Sequence, residues 1–300
     1  MRIDVYAPLV LSLLLAAVSP AVGRHLAPSL ATRALTGAAA LTAAATTWAL
    51  ILLSATLVSA APPVAADARE DGRYLPEPVP EVIALAALVT LTALTYRLCH
   101  AIRSEYATRR LLRRLCEGHP PETELIVAAS PSPRAFAVPA TADAPGHIVV
   151  TAAMLSSLTP AERRVLLAHE RAHLTHRHAL YAYTLAFAAA LNPLLAPVRT
   201  TVTYLVERWA DEHAAVTVGD RDTTARALAR AALVAHSSHS TSGLSFSDRA
   251  VTRRIAALQR TPPPYLRPVA AAVLTVGALA ALFAADATGD LLRLLAHALA

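Results

Sequence analysis

Residues 38–61 contain no charged side chain, and this run is long enough to cross the hydrocarbon core of a bilayer as one helix. Similar apolar runs cover residues 5–22, 82–98 and 269–285. The first run is also compatible with a signal peptide, but its barely positive start and the lack of a clear cleavage site favour an uncleaved span. Because 55% of the residues are apolar and the mean hydropathy is +0.45, we predict a mainly α membrane protein with four transmembrane helices.

The arginines predict how these spans are oriented. The chain has no lysine, so all 27 basic residues are arginines. Two clusters of them flank the region between the third and fourth spans: Arg97, Arg103, Arg109, Arg110, Arg113 and Arg114 in the first, and Arg249, Arg253, Arg254, Arg260 and Arg267 in the second. The positive-inside rule places both clusters in the cytoplasm. The first cluster adjoins a span, so anionic lipid headgroups of the plasma membrane, and not nucleic acid, are its expected partners.

This orientation predicts three parts of the chain. Residues 1–100 hold three spans, residues 101–265 form a cytoplasmic domain, and residues 266–300 hold the fourth span and a short tail. Within the cytoplasmic domain, β-favouring runs at 123–129, 134–139 and 147–151 are separated by turn-forming residues, which predicts a small sheet. The domain is therefore expected to be α+β.

A helix predicted over residues 161–173 carries His169, Glu170 and His173 in an H-E-x-x-H arrangement. Thr159, Pro160 and Glu162 provide its start, because they match a capping box with proline at the first helical position. The two imidazoles, four residues apart, share one face and can converge on a zinc ion. Glu170 lies beside the first histidine, where it can act as the general base towards a zinc-bound water.

A third ligand is needed, and Glu207 is the best candidate. His176 continues the histidine stripe, but residue 179 is alanine, which excludes a metzincin-type site. Glu207 and Asp211 lie one turn apart on a later predicted helix that ends before Gly219. An aspartate in this position can hold a ligand histidine through its other ring nitrogen.

These motifs resemble the gluzincin metallopeptidases, most closely the membrane antirepressor peptidases of the BlaR/MecR type, and their relatives the membrane heat-shock and CAAX-prenyl endopeptidases. The resemblance rests on residues 169–173, 207–211, 134–139, 146–151 and 254–258. It implies that His169, His173 and Glu207 bind Zn²⁺, that Glu170 is the base and that Asp211 orients a ligand histidine. It also implies that a sheet edge binds the substrate as an added strand, a role that we assign to residues 147–151.

The segment from Ala179 to Val198 is apolar and long enough to form a fifth span. A single crossing would separate Glu207 from His169, so the segment must be a buried helix, a membrane-surface element or a re-entrant pair broken near Pro193. We favour a helix that packs in the domain and touches the bilayer. His176 and His178 are expected to be surface residues. His236 and His239 are expected to lie in a solvated surface loop, with contact to a substrate as the alternative.

The function predicted from these features is a membrane-bound zinc endopeptidase that cleaves a protein or peptide, for example a cytoplasmic transcriptional repressor. Two alternatives remain: a quality-control peptidase for membrane proteins, and a non-catalytic receptor or scaffold in which zinc only holds the helices together. The absence of lysine excludes P-loop, Schiff-base and Ser-x-x-Lys chemistry. Cys99 and Cys116 are too few for a disulfide framework. The sequence does not indicate the oligomeric state.

Overall fold

The computed structural model describes residues 5–59, 79–236 and 244–299. Most of these residues are helical, and a small sheet lies between the third and the later helices. The first three helices are α1 (Ala7–His25), α2 (Pro28–Ser59) and α3 (Glu81–Arg114). The sheet follows with β1 (Leu125–Ala128), β2 (Ala135–Val138) and β3 (His147–Thr151). The remaining helices are α4 (Ala152–Ser156), α5 (Pro160–Thr175), α6 (His178–Leu191), α7 (Ala196–Val218), α8 (Arg221–His236), α9 (Leu244–Leu258) and α10 (Arg267–Leu299).

Within the described residues, four helices are long and apolar enough to cross a membrane: Ala7–His25, Pro28–Leu57, Glu81–Arg114 and Arg267–Asp290. They overlap the four predicted spans, but several bounds differ. Residues 28–37 form the first turns of α2 and are not the loop that we expected. The arginine cluster after the third span continues α3 without a break. A helix of 34 residues is about 51 Å long, so its arginine-bearing end extends well beyond a hydrocarbon core of about 30 Å.

Helices α2 and α10 pack closely because small residues line their contact. Ala34, Ala38 and Ala45 of α2 are buried, as are Ala280 and Ala284 of α10. A Cβ atom at Gly277 of α10 would come within 2.8 Å of the Cα atom of Ala38. The absence of a side chain at this position is therefore what lets the two backbones approach, as is typical of helix pairs in membranes.

The apolar segment 179–198 is a helical hairpin. Helix α6 ends at Leu191, a single 3₁₀ turn spans Pro193–Leu195, and α7 leads back to pack against the H-E-x-x-H helix α5. Asn192 at the tip is 2% exposed, and its side-chain amide donates hydrogen bonds to Ser12 of α1 (2.7 Å) and Thr46 of α2 (3.1 Å). The tip thus lies between two candidate spans. The chain is thus broken near Pro193, and α6 packs against the candidate spans α2 and α3. The position of this segment relative to a bilayer stays a prediction.

The sheet has the strand order β1–β3–β2. Strand β3 pairs in parallel with β1 and antiparallel with β2, and all five of its residues are buried. The expectation that residues 147–151 form a substrate-binding edge is therefore wrong, because β3 is the central strand. The edge that faces the H-E-x-x-H helix is β2, which packs against α5 and has no strand on its other side within the described residues.

Candidate active site

Helix α5 positions the two histidines as the sequence predicts. It begins at Pro160 after a capping box in which the Thr159 hydroxyl accepts from the Glu162 amide and the Glu162 carboxylate accepts from the Thr159 amide. His169 and His173 lie one turn apart on one face, and their Nε2 atoms are 3.2 Å from each other. Both rings therefore present the same type of nitrogen to one point.

The helical hairpin brings Glu207 of α7 to this point. Its Oε2 atom lies 3.6 Å from Nε2 of His169, and its Oε1 atom lies 3.7 Å from Nε2 of His173. The ligand atoms of the three side chains all lie within 4.8 Å of one another. Ligands about 2.05 Å from a tetrahedral zinc ion are separated from each other by roughly 3.4 Å. The separations and the His, His, Glu donor set therefore fit zinc.

Asp211 contacts His169 through Nδ1, the ring nitrogen that is not directed at the candidate metal site. One turn after Glu207 on α7, its Oδ1 atom lies 3.1 Å from Nδ1 of His169, and the side chain is 4% exposed. An Nδ1–H bond to this carboxylate leaves Nε2 free to bind a cation. Burial alone would disfavour the charged ring, but hydrogen bonds to Asp211 and Glu207 and their negative charges raise the pKa of His169 to about 10.

Arg254 is part of the site, a role that the sequence did not reveal. From α9, it donates two hydrogen bonds of 2.7 Å to the two oxygens of Asp211, and its Nη1 atom lies 3.0 Å from Oε2 of Glu207. Although burial opposes ionisation, the Arg254 bonds and charge and the His169 contact hold the pKa of Asp211 below its usual value. Arg254 therefore fixes both carboxylates at once. The only signal was its place in the 254–258 stretch that resembles the gluzincins.

His178 also contacts a candidate ligand, which contradicts the expectation of a surface position. Arg177 adopts the left-handed conformation (φ 51°) between α5 and α6, and this turn folds His178 back beneath His173. The Nδ1 atoms of His178 and His173 are 3.0 Å apart, and His178 is 2% exposed. Burial lowers the pKa of His178 to about 3 and that of His173 to about 4. Sequence spacing gave no signal of this contact.

His176 is half-buried and stacks on the Trp209 ring, with 4.6 Å between the ring centroids. Its Nε2 atom lies 3.1 Å from Nδ1 of His213. It does not join the His169, His173 and Glu207 group. The expectation that His176 lies on the open surface is therefore wrong.

Glu170 lies beside the same group and is 7% exposed. Burial raises the pKa of its carboxyl group, while the positive charge of His169 acts in the opposite direction. A carboxylate with a raised pKa next to a metal site can accept a proton and later release it. The position predicted for a general base is therefore chemically suited to that role.

A cleft of about 400 Å³ exposes these groups together. Its lining includes Glu170, the three candidate ligands and residues 135–137 of β2. On the other side of Glu170 lies an apolar cavity of about 460 Å³ that Arg254 also lines. The cleft is therefore open along the free edge of β2. Residues 237–243, which include His239, lie outside the described residues.

Comparison with known families identifies the class of protein. A sequence model of peptidase family M48 matches residues 101–267, which is more than half of the chain. Members of this family are metallopeptidases, usually with zinc. Comparison with the curated proteins and with the solved structures found no match. On the strength of the family match, the chain belongs to peptidase family M48.

Proposed function

We propose that the protein is a membrane-bound zinc-dependent endopeptidase. The observation that carries this proposal is the convergence of the His169, His173 and Glu207 ligand atoms within 4.8 Å, beside the buried carboxyl group of Glu170. When bound, zinc supplies a Lewis acid that polarises a peptide carbonyl and makes water more acidic. Four long apolar helices provide the membrane anchor.

In this proposal each side chain of the site has a distinct role. His169, His173 and Glu207 hold the metal, and Asp211 keeps the Nε2 atom of His169 directed at it. Glu170 accepts a proton from the attacking water and then transfers it to the leaving amine. Because burial raises the pKa of Glu170, its carboxylate accepts the proton of the attacking water more readily than an exposed glutamate would.

The free edge of β2 suits a substrate in the extended conformation. It runs along the wall of the cleft, next to Glu170 and the candidate ligands. A peptide bound there as an added strand would place one of its carbonyl groups beside the metal site, and main-chain hydrogen bonds would bind it with little dependence on sequence. This role replaces the one that we expected for β3.

We place the site on the cytoplasmic side, near the inner leaflet. The support is the arginine-rich end of α3 and the arginines of α9, which flank the peptidase region and favour the cytoplasm. The resemblance to BlaR/MecR-type peptidases favours a cytoplasmic transcriptional repressor as the substrate. Cleavage of damaged membrane proteins is the second candidate, because the same site would serve both.

A zinc-stapled receptor or scaffold is the non-catalytic alternative. Structural zinc sites usually have four protein ligands and no open position. Here three candidate ligands line an accessible cleft that also contains Glu170. A purely structural zinc site has no need of a buried carboxyl group at the position of Glu170, and this group therefore favours the enzyme.

The experiment compares newly formed protein amino termini in cells that express the wild type or Glu170→Gln. This substitution keeps the size of the side chain and the metal ligands but removes the base, so we expect wild-type-specific termini and equal zinc contents. Those termini would identify the substrate and separate the repressor from the quality-control role. Matching profiles from two proteins that both retain zinc would favour the scaffold.

A further inference from the structure

A second cavity, of about 640 Å³, adjoins the active-site cleft. The two share His173, Pro139 and Leu174 in their walls. The first three residues of β2 line the cleft, and its last residue, Val138, lines the second cavity. A peptide that extends along β2 past the metal site would therefore continue into this cavity.

The walls of this cavity are strongly basic. Four arginines and a single carboxylate line it: Arg109, Arg113, Arg171, Arg177 and Glu124. Arg171 forms a two-bond ion pair with Glu124, at 2.6 and 2.9 Å. Arg113 donates its hydrogen bonds to backbone carbonyl groups of the loop after β2. The four guanidinium groups and one carboxylate leave an excess of positive charge around an open space.

Among the described residues, Arg109 is held by an aromatic ring and not by a carboxylate. Its guanidinium carbon lies 3.4 Å from the ring centroid of Tyr183, so the ring fixes the plane of the guanidinium. Its Nε atom is buried and has no hydrogen-bond partner among the described residues. Arg109 also lines the cavity, and a guanidinium held in one plane is suited to bind a carboxylate through two parallel hydrogen bonds. Arg177, at the exposed mouth of the cavity, adds attraction without a partner of its own in the described chain.

We propose that this cavity is a substrate subsite that binds the carboxylate of an Asp or Glu side chain a few residues from the scissile bond. The inference rests on the proposed peptidase function and names the substrate class. A lipid headgroup would use the same chemistry. The peptide is favoured because the cavity continues the cleft along β2, whereas Arg110 and Arg114 are the exposed arginines of the same helix end and do not line it.

The test uses the full-length protein in a neutral detergent and eight-residue alanine–leucine peptides that carry one glutamate or one glutamine at successive positions. Cleavage is measured with the wild type, and binding by fluorescence anisotropy with the Glu170→Gln protein. At one position we expect about tenfold higher kcat/KM for the glutamate peptide than for its glutamine counterpart, since hydrogen bonds to charged groups contribute on this scale. Arg109→Gln should remove most of this ratio, and the matched control Arg110→Gln should preserve it.

The other outcomes distinguish a failure of the subsite from a failure of the peptidase proposal. Equal rates for glutamate and glutamine peptides at every position, or an equal loss of preference in Arg109→Gln and Arg110→Gln, overturn the subsite and leave the peptidase standing. If no peptide is cleaved but glutamate peptides still bind more tightly in an Arg109-dependent way, the subsite stands and the peptidase proposal fails. If short-chain phosphatidylglycerol, and not phosphatidylcholine, binds in an Arg109-dependent way while the glutamate preference is absent, the cavity belongs to lipid and the proposal is wrong.

Discussion

Replacing His178 with phenylalanine tests whether this buried ring controls metal binding. For His173 to bind a metal through Nε2, its Nδ1 must carry the hydrogen and donate it to Nδ1 of His178, 3.0 Å away. His178 then carries its own hydrogen on Nε2, which is buried without a partner among the described residues. Phenylalanine keeps the ring contacts with His173 and Trp209 but removes the acceptor.

The expected effect on metal affinity follows from the hydrogen bond that is lost. A buried donor left without an acceptor costs about 1–3 kcal/mol, and about 1.4 kcal/mol corresponds to a tenfold change in affinity. His178→Phe should therefore weaken zinc binding about tenfold to hundredfold. The metal-free protein should change in stability by less than about 1 kcal/mol, because the substitution also removes the unpaired Nε2–H of His178.

The assay is a zinc competition with a chromophoric chelator on the purified protein in detergent, with thermal unfolding of the metal-free forms alongside. His176→Phe is the matched control, because His176 contacts the same tryptophan but does not contact His173. An unchanged zinc affinity in His178→Phe, or an equal loss in His176→Phe, would refute the argument that the His178 acceptor selects the tautomer of His173.

Three further predictions concern protons and packing. In the metal-free protein His169, with a pKa of about 10, is protonated at pH 5–7, whereas His173, with a pKa of about 4, is neutral. Zinc binding should therefore release one proton and tighten about tenfold per pH unit over this range, as calorimetry in buffers of different ionisation enthalpy would measure. Gly277→Ala should lower the stability by about 1–3 kcal/mol in thermal unfolding, because the added Cβ atom would meet the backbone of α2. Gly289→Ala is the control and should be neutral, because a Cβ atom at that position would enter open space. Asn192→Leu should lower the stability by about 1–2 kcal/mol in the same assay, since it removes the hydrogen bonds of the Asn192 side chain to Ser12, Thr46 and the amide of Leu194.

The sequence predicted the parts of the molecule whose determinants are local. The capping box at Thr159, the one-turn spacing of His169 and His173, and the helix end at Gly219 each depend on a few neighbouring residues, and the structure has all three. The three short strands were also found within one or two residues of their observed bounds. These features could be predicted because the spacing of side chains along a helix or a strand is a property of a short segment of chain.

The features that were missed depend on tertiary packing. The order of the strands decides that β2 and not β3 is the edge, and the order of strands cannot be read from their hydropathy. His178 approaches His173 because Arg177 takes a left-handed conformation that arginine rarely adopts. Arg254 and Asp211 are hydrogen-bonded although they lie 43 residues apart in the chain. In each case the contact follows from how elements pack, so a motif alone could not place it.

The apolar segment 179–198 shows how one requirement of the site selects a fold. If α1 and α2 cross a membrane, Glu207 must return to the side that holds His169, so an apolar run long enough to span has to reverse. Asn192 and Pro193 allow this reversal: proline cannot continue α6, and the asparagine side chain satisfies its buried polar atoms on Ser12, Thr46 and the amide of Leu194. The third candidate ligand thus sits on a helix that starts among the first two candidate spans. Since α7 is continuous from Ala196 to Val218, a displacement of the hairpin tip within the bundle is transmitted to Glu207 along a rigid helix. The geometry of the candidate metal site therefore depends on the packing of the candidate spans α1 and α2 as well as on the peptidase region itself.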